Sequence, residues 1–495
     1  MNETSVYKEA LVQLALFCLA IAATRFTNGI FIPVMAACGV VLGLKGQAGR
    51  ALGIYAMIMM MICINPNILP KNGQLYGLGL RFGPLLIGLA LSVGSVTRNG
   101  VFRLPFAWLF LYLLFAVIPS AVGWAPFVSY LKIINFSIFL LGIWFGLQGV
   151  ARNERDLIHL RAVSLALVVF LIMGSVAILP FPGISTLNGL IASREMVNVD
   201  VVNAMIAEAI ASGDKTLFCG VTNQSQALAP LLSCAWGWVV CDCLFVERKI
   251  RWPHLMLIIC ALPLLYKTRS RVAILCLLVI SILVCFYLPR KLELGARVRR
   301  WLRPVLLGGV SLGVVALVLA EMNSDAISRW IRKTNDVEGD DRTLQEAVTA
   351  SRQKLVDMCM EDFKDSPLIG KGFQVAWYTK ENLIGDGGIV LSSPIEKGIL
   401  PIMILGETGL VGLVIFLVFL WIFVADCSRR RFFITIALMA VLLTTNIGEA
   451  TFFSPGGIGG IEWVLCIVCG YVEDMLLAVR RANLITQENK LTLMC

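Results

Sequence analysis

The sequence predicts an all-α, polytopic integral membrane protein with about 12–14 transmembrane helices and one large, partly helical outer loop. Three observations predict it. Hydrophobic residues make up 58% of the 495 and charged residues only 15%, against about 45–50% and about 25% in ordinary soluble chains. The mean hydropathy of +0.82 is incompatible with a water-soluble domain. Apolar runs long enough for a hydrocarbon core of about 30 Å recur along the chain. Whole-chain readings as a soluble enzyme, a nucleic-acid binder or a disulfide scaffold are thereby excluded.

The runs fall near 10–24, 28–44, 51–66, 80–97, 104–123, 129–150, 161–182, 226–245, 254–267, 272–289, 304–320, 400–425, 432–451 and 461–479. The start, Met1-Asn2-Glu3-Thr4, lacks a basic region and a small-residue cleavage site, so the first run is expected to be a retained helix. The connections at 45–50, 98–103, 152–161, 248–251, 290–303 and 429–431 are short and basic, and they fall on alternate sides of the count. Positive charge stays on the cytoplasmic side, so both termini are expected there. The net charge of +10 is accordingly a topology signal and gives no reason to expect nucleic acid as a partner. The expected division is 1–320 as N-terminal spans, 321–399 as an outer loop, 400–480 as C-terminal spans and 481–495 as a tail.

Two outer connections, 183–225 and 321–399, are far longer than compact proteins ordinarily use, which marks them as functional. In the second, Leu344, Val348, Leu355, Cys359 and Phe363 repeat at helical spacing, and Ser366-Pro367 stops the helix. Val197, Val201, Met205 and Ile210 suggest a short amphipathic helix in the first. Most of the 15 cysteines lie inside apolar runs, as small hydrophobes. Cys466 and Cys469 have CxxC spacing within a span and no second ligand pair. Cys219 and Cys359 lie outside the spans, where a bridge between them is open.

Charges beside the outer ends of spans are the first candidates for chemistry, because a cation is costly to desolvate. Thr268-Arg269-Ser270-Arg271 places two guanidiniums and two hydroxyls at an outer turn, a corner suited to phosphate oxygens. Arg81, Lys132 and Lys267 also sit near outer ends, either as substrate contacts or as side chains snorkelling to the interface. Arg352 flanks the apolar stripe of the loop helix, and Lys371 lies in a Gly-rich turn whose backbone N–H groups can approach a ligand. Glu396 and Lys397 precede the next span, where a carboxylate beside a cation can act as a general base. Glu407, between Gly406 and Gly409, is expected to serve close helix packing. No metal constellation emerges: His159 and His254 lie on the cytoplasmic side, and the acidic run 336–341 lacks the spacing of a calcium loop. No Walker motif exists.

Five pieces in order carry a resemblance. They are Gly220-Val-Thr-Asn-Gln-Ser-Gln226-Ala-Leu228, Ser270-Arg271, Ser351-Arg352, Pro367-Leu-Ile-Gly370-Lys-Gly372 and Glu407-Thr-Gly409-Leu-Val-Gly412. With the long outer loop between them, they resemble the O-antigen ligase/polymerase superfamily (WaaL-like and Wzy-like proteins), in detail over roughly the second half of the chain. The resemblance implies a glycosyltransferase of the bacterial inner membrane with its active site on the periplasmic face. Such proteins take a glycan from undecaprenyl pyrophosphate and need neither metal nor cofactor. It implies donor contacts for Arg271 and Arg352, beside which Arg269, Ser270, Lys371, Lys397, Gln226, Lys132 and Arg81 are the candidate substrate contacts by position. Membrane lipids and the lipid-linked oligosaccharide are the implied partners, with room for a chain-length regulator or export partner.

One departure bears on the branch. Ligases of the superfamily usually carry a His-Asn pair before the Glu-x-Gly span, which would fall at Gly398-Ile399, yet the outer loop has no His. Gln226 also stands where relatives often have Asn. The expectation is therefore a polymerase of O-antigen, capsule or exopolysaccharide repeat units, with Glu396 in the place of the His. A ligase to another acceptor is a second reading. A flippase or secondary transporter is the competing class, against which stand the missing internal repeat and the long outer loops.

Overall fold

The computed structural model describes residues 3–69, 74–94, 102–123, 125–150, 154–186, 218–223, 225–247, 251–268, 270–287, 356–375, 399–448 and 450–492. Among these the chain is all-α, with only two isolated bridges, Ile64 to Thr222 and Thr186 to Phe218. We label the helices α1 (Glu3–Phe26), α2 (Phe31–Leu44), α3 (Ala48–Cys63), α4 (Gln74–Gly94), α5 (Arg103–Val122), α6 (Pro126–Val150) and α7 (Glu154–Ile178). Then come α8 (Ser225–Cys241, continued by a π-helical turn over Asp242–Glu247), α9 (Trp252–Lys267) and α10 (Arg271–Ile282, with a π-helical turn over Leu283–Tyr287). The loop helix α11 spans 356–365. The last three are α12 (Leu400–Arg430), α13 (Phe433–Thr445) and α14 (Gly457–Thr492).

Every expected span except 304–320, which lies outside the described residues, falls on one of these helices. Among the described residues, six helices are long and apolar enough to cross a membrane by length and composition alone, with shorter apolar helices besides. The protein is thus an all-α polytopic membrane protein. The loop helix ends just before Ser366-Pro367, where the sequence stops it, because Pro disfavours helical backbone at the residue before it. The Val197–Ile210 segment and Leu344 to Leu355 lie outside the described residues.

Close packing of α2, α4 and α6 follows from small residues at four-residue spacing. Gly39 and Gly43 on α2 meet Ile87, Ala90 and Leu91 of α4, while Gly88 of α4 faces Gly142 of α6. Without a hydrophobic drive between helices in lipid, such small faces let backbones approach and gain van der Waals contact. Helices α3 and α8 are buried almost all round and form the centre of the bundle, as expected for helices apolar on every face. Helix α1 packs on α7, and α12 on α5.

Contacts sort the connections into two ends. At the basic end Glu9 of α1 meets His159 of α7 at 2.9 Å. There too Arg161, 1% exposed, is clamped by two carboxylates. Its Nε donates to Asp242 Oδ1 at 2.9 Å, and Nη2 donates to Asp242 Oδ2 at 2.6 Å and to Glu247 Oε1 at 2.9 Å. Tyr7 donates to Glu247 Oε2 at 2.7 Å, and His254 Nε2 lies 3.5 Å from Asp242 Oδ2. The network joins α1, α7, α9 and the π-turn after α8. The sequence reading placed Arg161 in a basic connection; the structure instead buries it two turns into α7. Glu473 of α14 likewise accepts from the backbone N–H groups of Ile434 and Thr435, capping α13 from another helix.

The cysteines at 219 and 359 are both buried and unbridged, so the open disulfide is not formed. Cys466 and Cys469 are buried within α14 as packing residues.

Removing Arg161 leaves two carboxylates uncompensated in the bundle. Arg161→Met is expected to destabilise by about 3–5 kcal/mol, read as a lowered thermal transition in detergent. Adding Asp242→Asn and Glu247→Gln to it should restore most of the loss. No recovery in the triple variant would show that the charges are not what the network balances.

Candidate functional site

At the end opposite the basic connections, two of the Gly-rich segments lock together. The Pro367–Gly372 turn lies along α12 where that helix breaks, at Gly409 (φ 65°, ψ −165°). Lys371 N–H donates to Gly406 O and Gly372 N–H to Glu407 O, both at 3.0 Å, while Leu410 N–H donates to Pro367 O at 2.8 Å and Val411 N–H to Leu368 O at 3.2 Å. The turn thus replaces the hydrogen bonds the helix loses at its break. Both glycines are required by this contact. Gly370 has φ +73°, and a Cβ there would overlap the Glu407 carbonyl; one on Gly409 would overlap Leu368. The sequence suggested that the turn's N–H groups face a ligand; those of Lys371 and Gly372 are committed to α12 instead. Glu407 is buried within the clasp. The Lys371 ammonium reaches Asp365 Oδ2 at 3.3 Å, with its side chain still 39% exposed.

From the clasp the chain runs as a strap, 371–375, between α5 and α6. The buried Phe373 ring lies 5.4 Å from that of Phe453 and 6.4 Å from that of Tyr112. Ser120 Oγ accepts from Phe373 N–H at 3.2 Å, and Ser129 Oγ donates to Phe373 O at 2.8 Å. Lys132 Nζ donates to Gln374 O at 2.9 Å, and Gln374 Nε2 donates to Phe453 O at 3.0 Å. Gln374 itself has φ +51°, a left-handed conformation that costs a non-glycine residue about 1–2 kcal/mol. Lys132 is only 2% exposed. It does not snorkel to the interface; it lies beneath the strap.

The connection between α13 and α14, residues 446–456, is where the separate segments meet. Leu400 N–H, at the start of α12, donates to Asn446 O at 3.1 Å, and Phe452 N–H donates to Asn446 Oδ1 at 2.6 Å. The strap reaches it through Gln374. On another flank Val272, next to Arg271, packs against Gly448. Trp463 Nε1 donates to Phe452 O at 2.9 Å, and Tyr55 OH to Pro455 O at 3.4 Å.

Arg271 is the first residue of α10 and half-buried. Ser270 caps that helix, its Oγ accepting from Ala273 N–H at 3.4 Å. Gln226 is the second residue of α8 and Arg81 lies two turns into α4. The segment preceding Gln226 is a support: Asn65 N–H donates to Val221 O and Asn223 N–H to Cys63 O, both at 2.8 Å. Arg269, Arg352, Glu396 and Lys397 lie outside the described residues. The structure therefore brings Lys132, the Lys371 strap, the α10 N-terminus and the start of α12 to one connection, and Arg81 is on no element that touches it through a described bond.

Sequence reasoning missed Glu462. This carboxylate of α14 is fully buried, with Oε2 3.5 Å from Thr445 Oγ1 and with no hydrogen-bond partner for Oε1 among the described residues. A lone carboxylate inside an apolar run was its signal. At the basic end, ligand atoms of Asp242, Glu247 and His254 lie within 4.8 Å of one another. The Arg161 guanidinium already bridges both carboxylates, so this set reads as an ion-pair network.

Residues 255–417, from α9 to the middle of α12, match the family model Wzy_C, described as O-antigen ligase. No curated protein and no solved structure matches the chain.

The clasp makes Gly409 irreplaceable, since its φ, ψ pair is essentially confined to glycine. Gly409→Ala is expected to lower stability by about 2–3 kcal/mol or more, strain and overlap adding. Thermal unfolding in detergent reads it directly. A transition equal to that of the unsubstituted protein would mean that the break in α12 is not obligatory.

Proposed function

We propose that the protein polymerises lipid-linked oligosaccharide repeat units on the periplasmic face of the inner membrane, a reading supported by the match of residues 255–417 to the O-antigen ligase family model. The growing glycan passes from undecaprenyl pyrophosphate to a sugar hydroxyl of the acceptor. The observation that carries the reading is the convergence at 446–456 of the α10 N-terminus, the strap and the start of α12. All three lie at the end opposite the basic connections, so the positive-inside rule puts them outside.

The chemistry asks for charge placed where it develops. Arg271 stands at a helix N-terminus, where backbone N–H groups and a guanidinium favour the same diphosphate oxygens. As the bond from the sugar carbon to the diphosphate breaks, negative charge collects on the leaving group, and a preorganised cation there lowers the barrier. Arg352, Arg269, Lys371 and Lys397 are the further cations proposed to hold the donor, with Arg81 and Gln226 as outlying contacts. Glu396, three residues before Ile399 where the chain re-enters, is proposed to take the acceptor hydroxyl's proton as the new glycosidic bond forms. Undecaprenyl pyrophosphate leaves, already a good leaving group. The absence of His from the outer loop favours polymerase over ligase.

Purified protein with a lipid-linked repeat unit should yield longer glycans on the lipid. Lipid transbilayer movement without elongation would overturn the reading in favour of a flippase. Arg271→Lys should lose most turnover at normal protein levels, because a point charge does not replace a bidentate fork. Glu396→Gln should slow turnover by about 10²–10⁴-fold while leaving donor binding intact. Wild-type rates in either variant would remove that residue from its role.

A further inference from the structure

The strap presents two facts that the proposed chemistry does not use. A buried ammonium is donated to a backbone carbonyl, a task that a neutral side chain can perform at less desolvation. That carbonyl also belongs to Gln374, a non-glycine residue held at φ +51°. Strained backbone persists only where its surroundings over-determine it, and such sites cluster where geometry serves function.

Here the surroundings do so. Ser120 and Ser129, themselves hydrogen-bonded at 2.6 Å, grip both backbone groups of Phe373. Lys132 takes the Gln374 carbonyl, and the Gln374 side chain takes the Phe453 carbonyl. The two serines and the lysine come from facing ends of α5 and α6. Lys132 lies one turn beyond Ser129 on α6, so one helix face addresses consecutive residues of the strap. The bond from Gln374 to Phe453 passes that placement to the 446–456 connection, which also receives Leu400 and Val272.

We infer that Lys132 is a positioning residue: by holding the Gln374 carbonyl it aligns the strap with the 446–456 connection beside Arg271. This deepens the polymerase reading and rests on it for the kinetic part alone. The described bond of Lys132 is to backbone. Its loss should therefore misplace the reacting groups without weakening the affinity of the substrate.

The test compares Lys132→Met, Lys132→Arg and Ser129→Ala with the full-length wild type in nanodiscs. Amide hydrogen exchange of peptides covering 371–375 is measured together with kcat and KM for a lipid-linked repeat unit. Lys132→Met should raise exchange of those peptides about tenfold or more, the factor that loss of one charge-assisted hydrogen bond brings, while peptides of α9 and α10 stay unchanged. Its kcat should fall by up to about 10²-fold, as slight misplacement of reacting groups does, with KM within about twofold. Lys132→Arg should recover part of both, and Ser129→Ala, removing a neighbouring bond to the same strap, should shift both in the same direction by less. Raised KM at unchanged kcat would make Lys132 a substrate ligand and overturn the inference. Raised exchange with unchanged kinetics would reduce it to a structural anchor, and unchanged exchange would remove the anchor itself. Should Lys132→Met fail to fold, Ser129→Ala and Lys132→Arg carry the same comparison. If wild type makes no longer glycan, the polymerase reading fails, while the exchange data still decide whether Lys132 holds the strap.

Discussion

A backbone polar group inside a bilayer must find its partner within the protein, and the bundle is organised around a place where a long helix breaks that rule locally. Helix α12 cannot continue its own ladder through Gly409, so the Pro367–Gly372 turn supplies donors and acceptors in its stead. Once the turn is fixed on α12, the next residues have little freedom. Phe373 enters the aromatic cluster, Gln374 takes its left-handed backbone, and Lys132 closes over its carbonyl. The glycines of the two segments are there because backbone meets backbone, which gives them a physical role apart from any ligand.

The two ends of the bundle use charge differently. At the basic end the buried charges neutralise one another, with Arg161 between Asp242 and Glu247 and with Tyr7 and His254 at the edge. Such a network fixes the relation of four helices and presents no open ligand position. At the opposite end Arg271 opens a helix, Lys371 flanks the clasp, and Lys132 lies under the strap. This difference makes the second end the better place for a charged, lipid-linked substrate. Glu462 remains a buried carboxylate beneath the 446–456 connection, touching Thr445 and available to no solvent.

Hydropathy and charge alternation made the spans and the two ends legible, because both are local and additive along the chain. The stop at Ser366-Pro367 was legible for the same reason, and Glu407, flanked by Gly406 and Gly409, is buried in the clasp. What the sequence could not show was pairing at long range. Arg161 looked like the edge of a basic connection because its partners lie 81 and 86 residues away. Lys132 looked interfacial because the carbonyl that buries it is 242 residues distant. The Gly370 turn looked like a ligand cradle because glycine-rich turns serve close approach of any kind, and here the approaching group is α12. Glu462 went unread as a single carboxylate in an otherwise apolar run. The order of the motifs that carry the resemblance was visible, but their contact with one another was not.

The central claim is that the clasp, the strap and the 446–456 connection form the reaction face outside the membrane. In a cysteine-depleted background, Lys371→Cys and Arg429→Cys report the two ends, since Arg429 is exposed and the Lys371 side chain is 39% exposed in the structure. A membrane-impermeant maleimide applied to cells with opened outer membranes should label Lys371→Cys and leave Arg429→Cys unmodified until the inner membrane is broken. Labelling of Arg429→Cys alone would contradict the account, because it would put the clasp and the Arg271 end of α10 on the cytoplasmic side.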